Sequence, residues 1–215
     1  MSYQAAVFDM DGLLLDSERV SYDTFAAACH DLGIEFKEQV YLKIIGTNAQ
    51  QIKRIIVDGY GPELPYDELR ALWLDKYHAI TMHQALPVKE GVVELLEWLK
   101  SKAIPMAVAT SSNRQVAQVK LTNAKLIDYF DSLSTGCQVT HSKPHPEIFL
   151  TAASTLSVAP ERCLAFEDSD NGVRAAVSAG MHVYQIPDLI EPSEQLKSLG
   201  HRICGSLSEA LSELR

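Results

Sequence analysis

The chain has 215 residues, 47% of them hydrophobic, with 19 basic against 28 acidic side chains and a formal net charge of −9. That length holds one ordinary domain plus a smaller insertion, and the apolar content is too high for a disordered chain. The acidic balance excludes a phosphate-backbone footprint and any pull toward anionic membranes, so neither nucleic acid nor a membrane is an expected partner, and an anionic ligand needs its own local positive charge.

Met1-Ser2-Tyr3-Gln4 carries no basic leader ahead of a long apolar run, and no apolar run approaches a membrane span, so a cytoplasmic protein is expected. Ala5-Ala6-Val7-Phe8 is a short apolar run that stops at Asp9, which reads as a buried strand, and Gly12 breaks the pattern. From Ser17 to Gln84 the texture is helical: Tyr22, Phe25, Ala26, Cys29 and Leu32 share a face that ends at Gly33, and Ile44-Ile45, Ile52, Ile55-Ile56, Leu69, Leu72-Trp73, Tyr77 and Ile80 suggest further helices. Gly59, Gly61, Pro62 and Pro65 read as a loop. A helical block placed directly after the first strand is a separate small domain, so residues 17–84 are expected to form it, with 1–16 and 85–215 as the core.

After Pro87 strands and helices alternate. Val92, Leu95-Leu96 and Leu99 form one helix face, Ile104 to Ala109 a strand ending at Thr110, and Asn113 to Leu126 a helix. A short strand at Leu133-Ser134-Thr135, a helix from Pro146 to Leu156 and a strand Cys163 to Phe166 ending at Glu167-Asp168 follow. A helix closed by Gly180, a strand His182 to Ile186 and a short strand Arg202 to Cys204 complete the pattern. This alternation predicts an α/β fold with a doubly wound parallel sheet. Cys29, Cys137, Cys163 and Cys204 are widely spaced without pairing and read as buried thiols, and His78, His83, His141, His145 and His182 offer no zinc spacing that fits the rest. A monomer is the default expectation.

Ligands of such sheets bind beyond the carboxyl ends of the strands, near the point where strand order reverses. Asp9, Thr110 and Glu167-Asp168 stand at those ends, each directly after a buried apolar run. Two carboxylates two residues apart at a strand end, Asp9 and Asp11, can both reach one site, where one attacks and the other exchanges a proton with the leaving group.

The stretch Phe8-Asp9-Met10-Asp11-Gly12-Leu13-Leu14-Leu15-Asp16-Ser17 resembles the first signature of haloacid dehalogenase-like phosphatases. Thr110-Ser111-Ser112 resembles the second, Lys143-Pro144-His145-Pro146-Glu147 the third, and Glu167-Asp168-Ser169 with Asn171-Gly172 the fourth, in the family's order. The chain is most similar to the branch that holds β-phosphoglucomutase and small sugar-phosphate phosphatases, and the resemblance casts residues 17–84 as the family's helical cap on a Rossmann-like core.

The resemblance implies a magnesium-dependent phosphatase acting on a small phosphorylated metabolite, a sugar phosphate or a nucleotide monophosphate. Asp9 then takes the phosphoryl group as an aspartyl-phosphate, and Asp11 protonates the departing alcohol and activates water. Magnesium suits an all-oxygen site; its implied ligands are Asp9, Asp168 and the Asp11 backbone carbonyl, with Glu167 close by. Thr110 and the backbone amides of Ser111 and Ser112 bind the phosphoryl oxygens ahead of a helix N-terminus, Asn113 orders that loop, and Lys143 neutralises charge on the phosphoryl group and Asp9. The cap is expected to close over the site from a hinge near Asp16-Ser17, with Ser21, Gly46, Thr47 and Asn48 choosing the substrate.

A phosphomutase of the same fold is the nearest alternative. Its pattern carries an arginine three residues after a cap glycine, where this chain, counted from Gly46, has Ala49; Lys43, Lys53 or Arg54 are the substitutes to consider. A phospho-acceptor signalling module also combines strand-end aspartates, a lysine and magnesium, but it is shorter and lacks the helical insertion.

Overall fold

In this computed structural model, which describes residues 3–47 and 49–215, six strands pair in parallel among the described residues. They are β1 (Ala5–Phe8), β2 (Met106–Thr110), β3 (Ser132–Thr135), β4 (Cys163–Glu167), β5 (His182–Gln185) and β6 (Arg202–Ile203), in spatial order β3-β2-β1-β4-β5-β6. The order reverses at β1, so the fold is the doubly wound α/β sheet that the alternation predicts. Helices α5 (Val92–Ser101), α6 (Arg114–Asn123), α7 (Glu147–Thr155) and α8 (Asp170–Ser178) alternate with the strands.

β1 lies at the middle of the sheet and every one of its residues is buried, which is why it reads as an unbroken apolar run. Alternate side chains go to opposite faces. On one face Phe8 stacks on Phe166 with ring centroids 4.7 Å apart, and Phe166 on Tyr184 at 5.5 Å. On the other, Val7, Ala107, Ala109 and Ala165 pack with Ile148 and Phe149 of α7 and Val173 and Ala176 of α8. The stacked rings are register partners across β1, β4 and β5, and a one-residue slip would turn them all over. This register matters for function: Asp9, next after β1, donates its N–H to the Phe166 carbonyl at 3.0 Å and so comes level with Glu167, the last residue of β4.

By its internal contacts the chain divides into two units, Met1–Asp16 with Ala85–Arg215, and Ser17–Gln84. The second consists of α1 (Ser17–Asp31), α2 (Glu38–Tyr41), α3 (Ala49–Tyr60) and α4 (Tyr66–Thr81). Phe25 anchors its core, with the Trp73 ring 5.1 Å and the Tyr41 ring 5.3 Å away, and the Trp73 indole N–H reaches the Ser21 carbonyl at 3.0 Å.

Several expectations need correction. Gly59 lies inside α3, not in the loop: a Cβ there would meet Val40 Cγ2 at 2.6 Å, so its bareness lets α2 and α3 approach. Ile44-Ile45 fall in a turn between helices. Cys137 is exposed, while Cys29, Cys163 and Cys204 are buried; all four are free thiols. The core also holds two helices that the strand pattern does not announce, α9 (Glu194–Lys197) and α10 (Leu207–Leu214). No described helix is long and apolar enough to cross a membrane.

Candidate active site

Three neighbouring strands deliver the candidate residues. Asp9 follows β1, Thr110 ends β2 and Glu167 ends β4, with Asp168 next. The loop after Asp9 is fixed by its apolar members: Met10, Leu13, Leu14 and Leu15 are all buried, and Leu14 and Leu15 return N–H donors to the Met10 carbonyl at 3.0 and 3.1 Å. Gly12, at φ 86°, makes the turn between them. The loop's polar residues Asp9 and Asp11 are therefore held in place by buried neighbours rather than by hydrogen bonds alone.

Lys143 reaches this point from the loop between β3 and α7. Its ammonium donates to Asp9 Oδ1, to Glu167 Oε1 at 2.6 Å and to the Ala109 carbonyl at 3.0 Å, which uses all three protons. Burial pushes the Asp9 carboxyl up from its ordinary value to about 7, against the pull of Lys143 and with Glu167 adding to the rise. Burial also works against the Lys143 charge, but Asp9 and Glu167 outweigh it and hold the proton more tightly than in a free lysine. Both effects have one source: two buried carboxylates share one cation, so the cluster is short of positive charge.

Asp9, Glu167 and Asp168 each offer a carboxylate oxygen, and these atoms lie within 4.8 Å of one another. An all-oxygen set that lacks positive charge suits a hard divalent cation such as magnesium. Glu167 is partly committed elsewhere: Oε1 accepts from Lys143, and Oε2 accepts the Ser169 N–H at 2.9 Å and its hydroxyl at 3.1 Å. His141, His145 and Glu147 also gather within 4.8 Å, a grouping the sequence spacing does not suggest. Glu147 is partly engaged, however: it accepts the Thr140 and His141 N–H groups at 2.8 and 2.9 Å, and His145 Nδ1 faces the Glu147 N–H at 3.3 Å. This trio shapes the loop that presents Lys143.

In the loop after β2, the Thr110 hydroxyl accepts the Ser112 N–H at 3.1 Å, and the Ser112 hydroxyl donates to Asp11 Oδ2 at 2.9 Å. Asn113 is the N-cap of α6, accepting from Val116 N–H at 2.9 Å, and Ser111 is exposed. Gly46 and Thr47 lie in the other unit, in the turn before α3, where the Thr47 hydroxyl donates to the Ile44 carbonyl at 2.6 Å; Asn48 is outside the described residues.

The sequence profile of the haloacid dehalogenase-like hydrolase family matches residues 3–180. The chain belongs to that family. Among curated proteins it is similar to the phosphorylated carbohydrates phosphatase of Thermotoga maritima, 31% identical over 198 residues that cover 92% of this chain and 91% of that protein. Fructose-1-phosphate phosphatase YqaB of Escherichia coli is 29% identical over 192 residues, 86% of this chain and 96% of that protein. Among solved structures, CbbY from Rhodobacter sphaeroides in complex with phosphate matches with a TM-score of 0.74 and 26% identity, covering 96% of each chain. With such relatives matched almost end to end, this haloacid dehalogenase-like hydrolase is a phosphoric monoester hydrolase.

Two features of this hydrolase's site go beyond the roles expected from the sequence. One is Lys120 on α6, whose ammonium lies 2.7 Å from Asp11 Oδ1 with only 2% of its side chain exposed. Its signal is position: Ala117, Lys120 and Leu121 form the buried face of α6 at i, i+3 and i+4, and a lysine there needs an acceptor. The other is Gly172 on α8. A Cβ on it would fall 1.7 Å from Glu167 Oε1, so the glycine makes room for the carboxylate that holds Lys143. Gly172→Ala should displace Glu167 and lower stability by about 3 kcal/mol, within the range for disturbing a buried ion pair. Urea unfolding measures this, and an unchanged midpoint would refute the role given to Gly172.

Proposed function

We propose that the chain is a magnesium-dependent phosphatase that hydrolyses a small phosphorylated metabolite, a sugar phosphate or a nucleotide monophosphate, through an aspartyl-phosphate on Asp9. One observation carries this reading: the carboxylates of Asp9, Glu167 and Asp168 come within 4.8 Å at the point of strand-order reversal, with a buried ammonium among them. The names of the curated relatives support the substrate class, and Ala49, in place of the mutase arginine, supports hydrolysis over isomerisation.

Asp9, Asp168 and the Asp11 carbonyl would hold the ion, with Glu167 beside them keeping Lys143 in place. When bound, magnesium supplies the positive charge that lets an anionic ester approach a carboxylate. The Asp9 carboxylate attacks phosphorus while the Asp11 carboxyl gives its proton to the bridging oxygen as that bond breaks. Asp11 then takes a proton from water, which attacks phosphorus and releases phosphate from Asp9. Lys143 balances charge on the phosphoryl oxygens, and Thr110 and the Ser111 amide orient them, with the Ser112 amide holding the Thr110 hydroxyl. Asn113, as N-cap, keeps that loop in shape. To residues 17–84, including Gly46 and Thr47, we assign discrimination among esters, and we take the working enzyme to be a cytoplasmic monomer.

Turnover of 4-nitrophenyl phosphate should fall to background in EDTA and return with added magnesium. Full activity in EDTA would remove the metal from this scheme.

A further inference from the structure

We propose that Lys120 is a positioning residue for leaving-group protonation, fixing the orientation of the Asp11 carboxylate. The proposal deepens the reading above and rests on the acid–base role given there to Asp11.

Each Asp11 oxygen meets a directional donor from the segment after β2. Lys120 Nζ lies 2.7 Å from Oδ1, and the Ser112 hydroxyl donates to Oδ2 at 2.9 Å. Two donors from separate points of the backbone define the plane of a carboxylate, where a single one leaves it free to swing. The cost of the arrangement shows that packing alone does not explain it. Lys120 occupies a helix position between Ala117 and Leu121 that an apolar residue would fill without any desolvation penalty, and its side chain is 2% exposed. Among the described residues, two lysine side chains less than a tenth exposed thus each meet a different aspartate: Lys143 meets Asp9 and Lys120 meets Asp11.

Orientation matters most where the proton matters most. A 4-nitrophenolate departs readily without one, whereas an alkoxide does not, so a misplaced Asp11 penalises alkyl phosphates more than aryl phosphates. Errors of about 1 Å in such groups cost on the order of a hundredfold.

The test is a leaving-group series (4-nitrophenyl, phenyl and glycerol phosphates) at saturating magnesium, read as kcat/KM, which reports the first irreversible step. Lys120→Met should lose about tenfold to a hundredfold more on glycerol phosphate than on 4-nitrophenyl phosphate, and Lys120→Arg should recover most of the difference. A loss of equal size across the series would overturn the proposal. If Lys120→Met does not fold, Ser112→Ala decides, because it removes the second donor without emptying a buried site; it should show the same trend at smaller size, and a flat loss there also overturns the proposal. Asp11→Asn separates the two levels. A flat profile in that variant removes the acid–base reading of Asp11 itself. A steep one, beside a flat loss in Lys120→Met, removes only Lys120.

Discussion

Asp9→Asn should lower kcat on 4-nitrophenyl phosphate roughly a thousandfold or more, as expected for loss of a nucleophile, and leave the fold intact. The amide keeps the shape of the carboxylate but has no anionic oxygen to attack phosphorus. The variant should remain folded because Lys143 keeps Glu167 at 2.6 Å and the Ala109 carbonyl at 3.0 Å, so no buried charge is orphaned. An acid-quenched reaction with labelled substrate should trap phosphate on the wild-type chain and none on the variant. A folded Asp9→Asn protein with wild-type turnover would end the proposed mechanism.

The same substitution has a pH signature in the metal-free protein. Burial raises the Asp9 carboxyl from 3.8 to about 7, so between those values the native state holds a proton that the unfolded chain has released. Stability linked to this group is therefore fully present below the lower value and is lost as pH rises through the upper one. The amide of the Asp9→Asn variant cannot titrate. In EDTA, thermal unfolding of the variant should gain on wild type from pH 5 to pH 7.5, and added magnesium should close that gap by binding only the wild-type carboxylate.

How far the sequence reveals this arrangement depends on the kind of interaction. Asp9, Thr110, Glu167 and Asp168 are legible because each interrupts or follows an apolar run, and a parallel sheet sends all such strand ends to one rim. Lys143 is legible only through the family signature, since nothing in its loop shows that Asp9 lies 134 positions earlier in the chain yet within reach. Lys120 belongs to no motif, and its place shows only once α6 is phased and the position proves to face inward. Gly59 reads as part of a loop and Gly172 only as part of the fourth signature, although each is a clearance for a neighbouring group within a helix. α10 has a readable pattern, with Ser206 as cap and buried Leu207, Ala210 and Leu211, but it follows the last strand and so lies outside the alternation that organises the rest. Ser112 illustrates the limit of motif transfer: its amide, expected to face phosphate, donates to the Thr110 hydroxyl here.

Lys143→Met should be the most destabilising single change in the site, lowering stability by about 3–5 kcal/mol, the usual cost of leaving a buried charge unpaired. Glu167 has no exposed surface, so without the ammonium its Oε1 faces Asp9 with no cation between them. Activity should fall as well, roughly a hundredfold or more, because charge on the transferring group is no longer balanced. The second half of the argument is a rescue. Adding Glu167→Gln to Lys143→Met removes the orphaned charge, so the double variant should be more stable than Lys143→Met alone, although Glu167→Gln by itself is destabilising in the presence of Lys143. Urea unfolding of the three variants at pH 7.5 in EDTA measures the cycle. Additive losses would mean that Lys143 and Glu167 act independently, and Glu167 would then return to consideration as a direct ligand of the ion. Recovery in the double variant would assign it to Lys143, because only a carboxylate whose main duty is to balance that ammonium becomes a liability when the ammonium is gone.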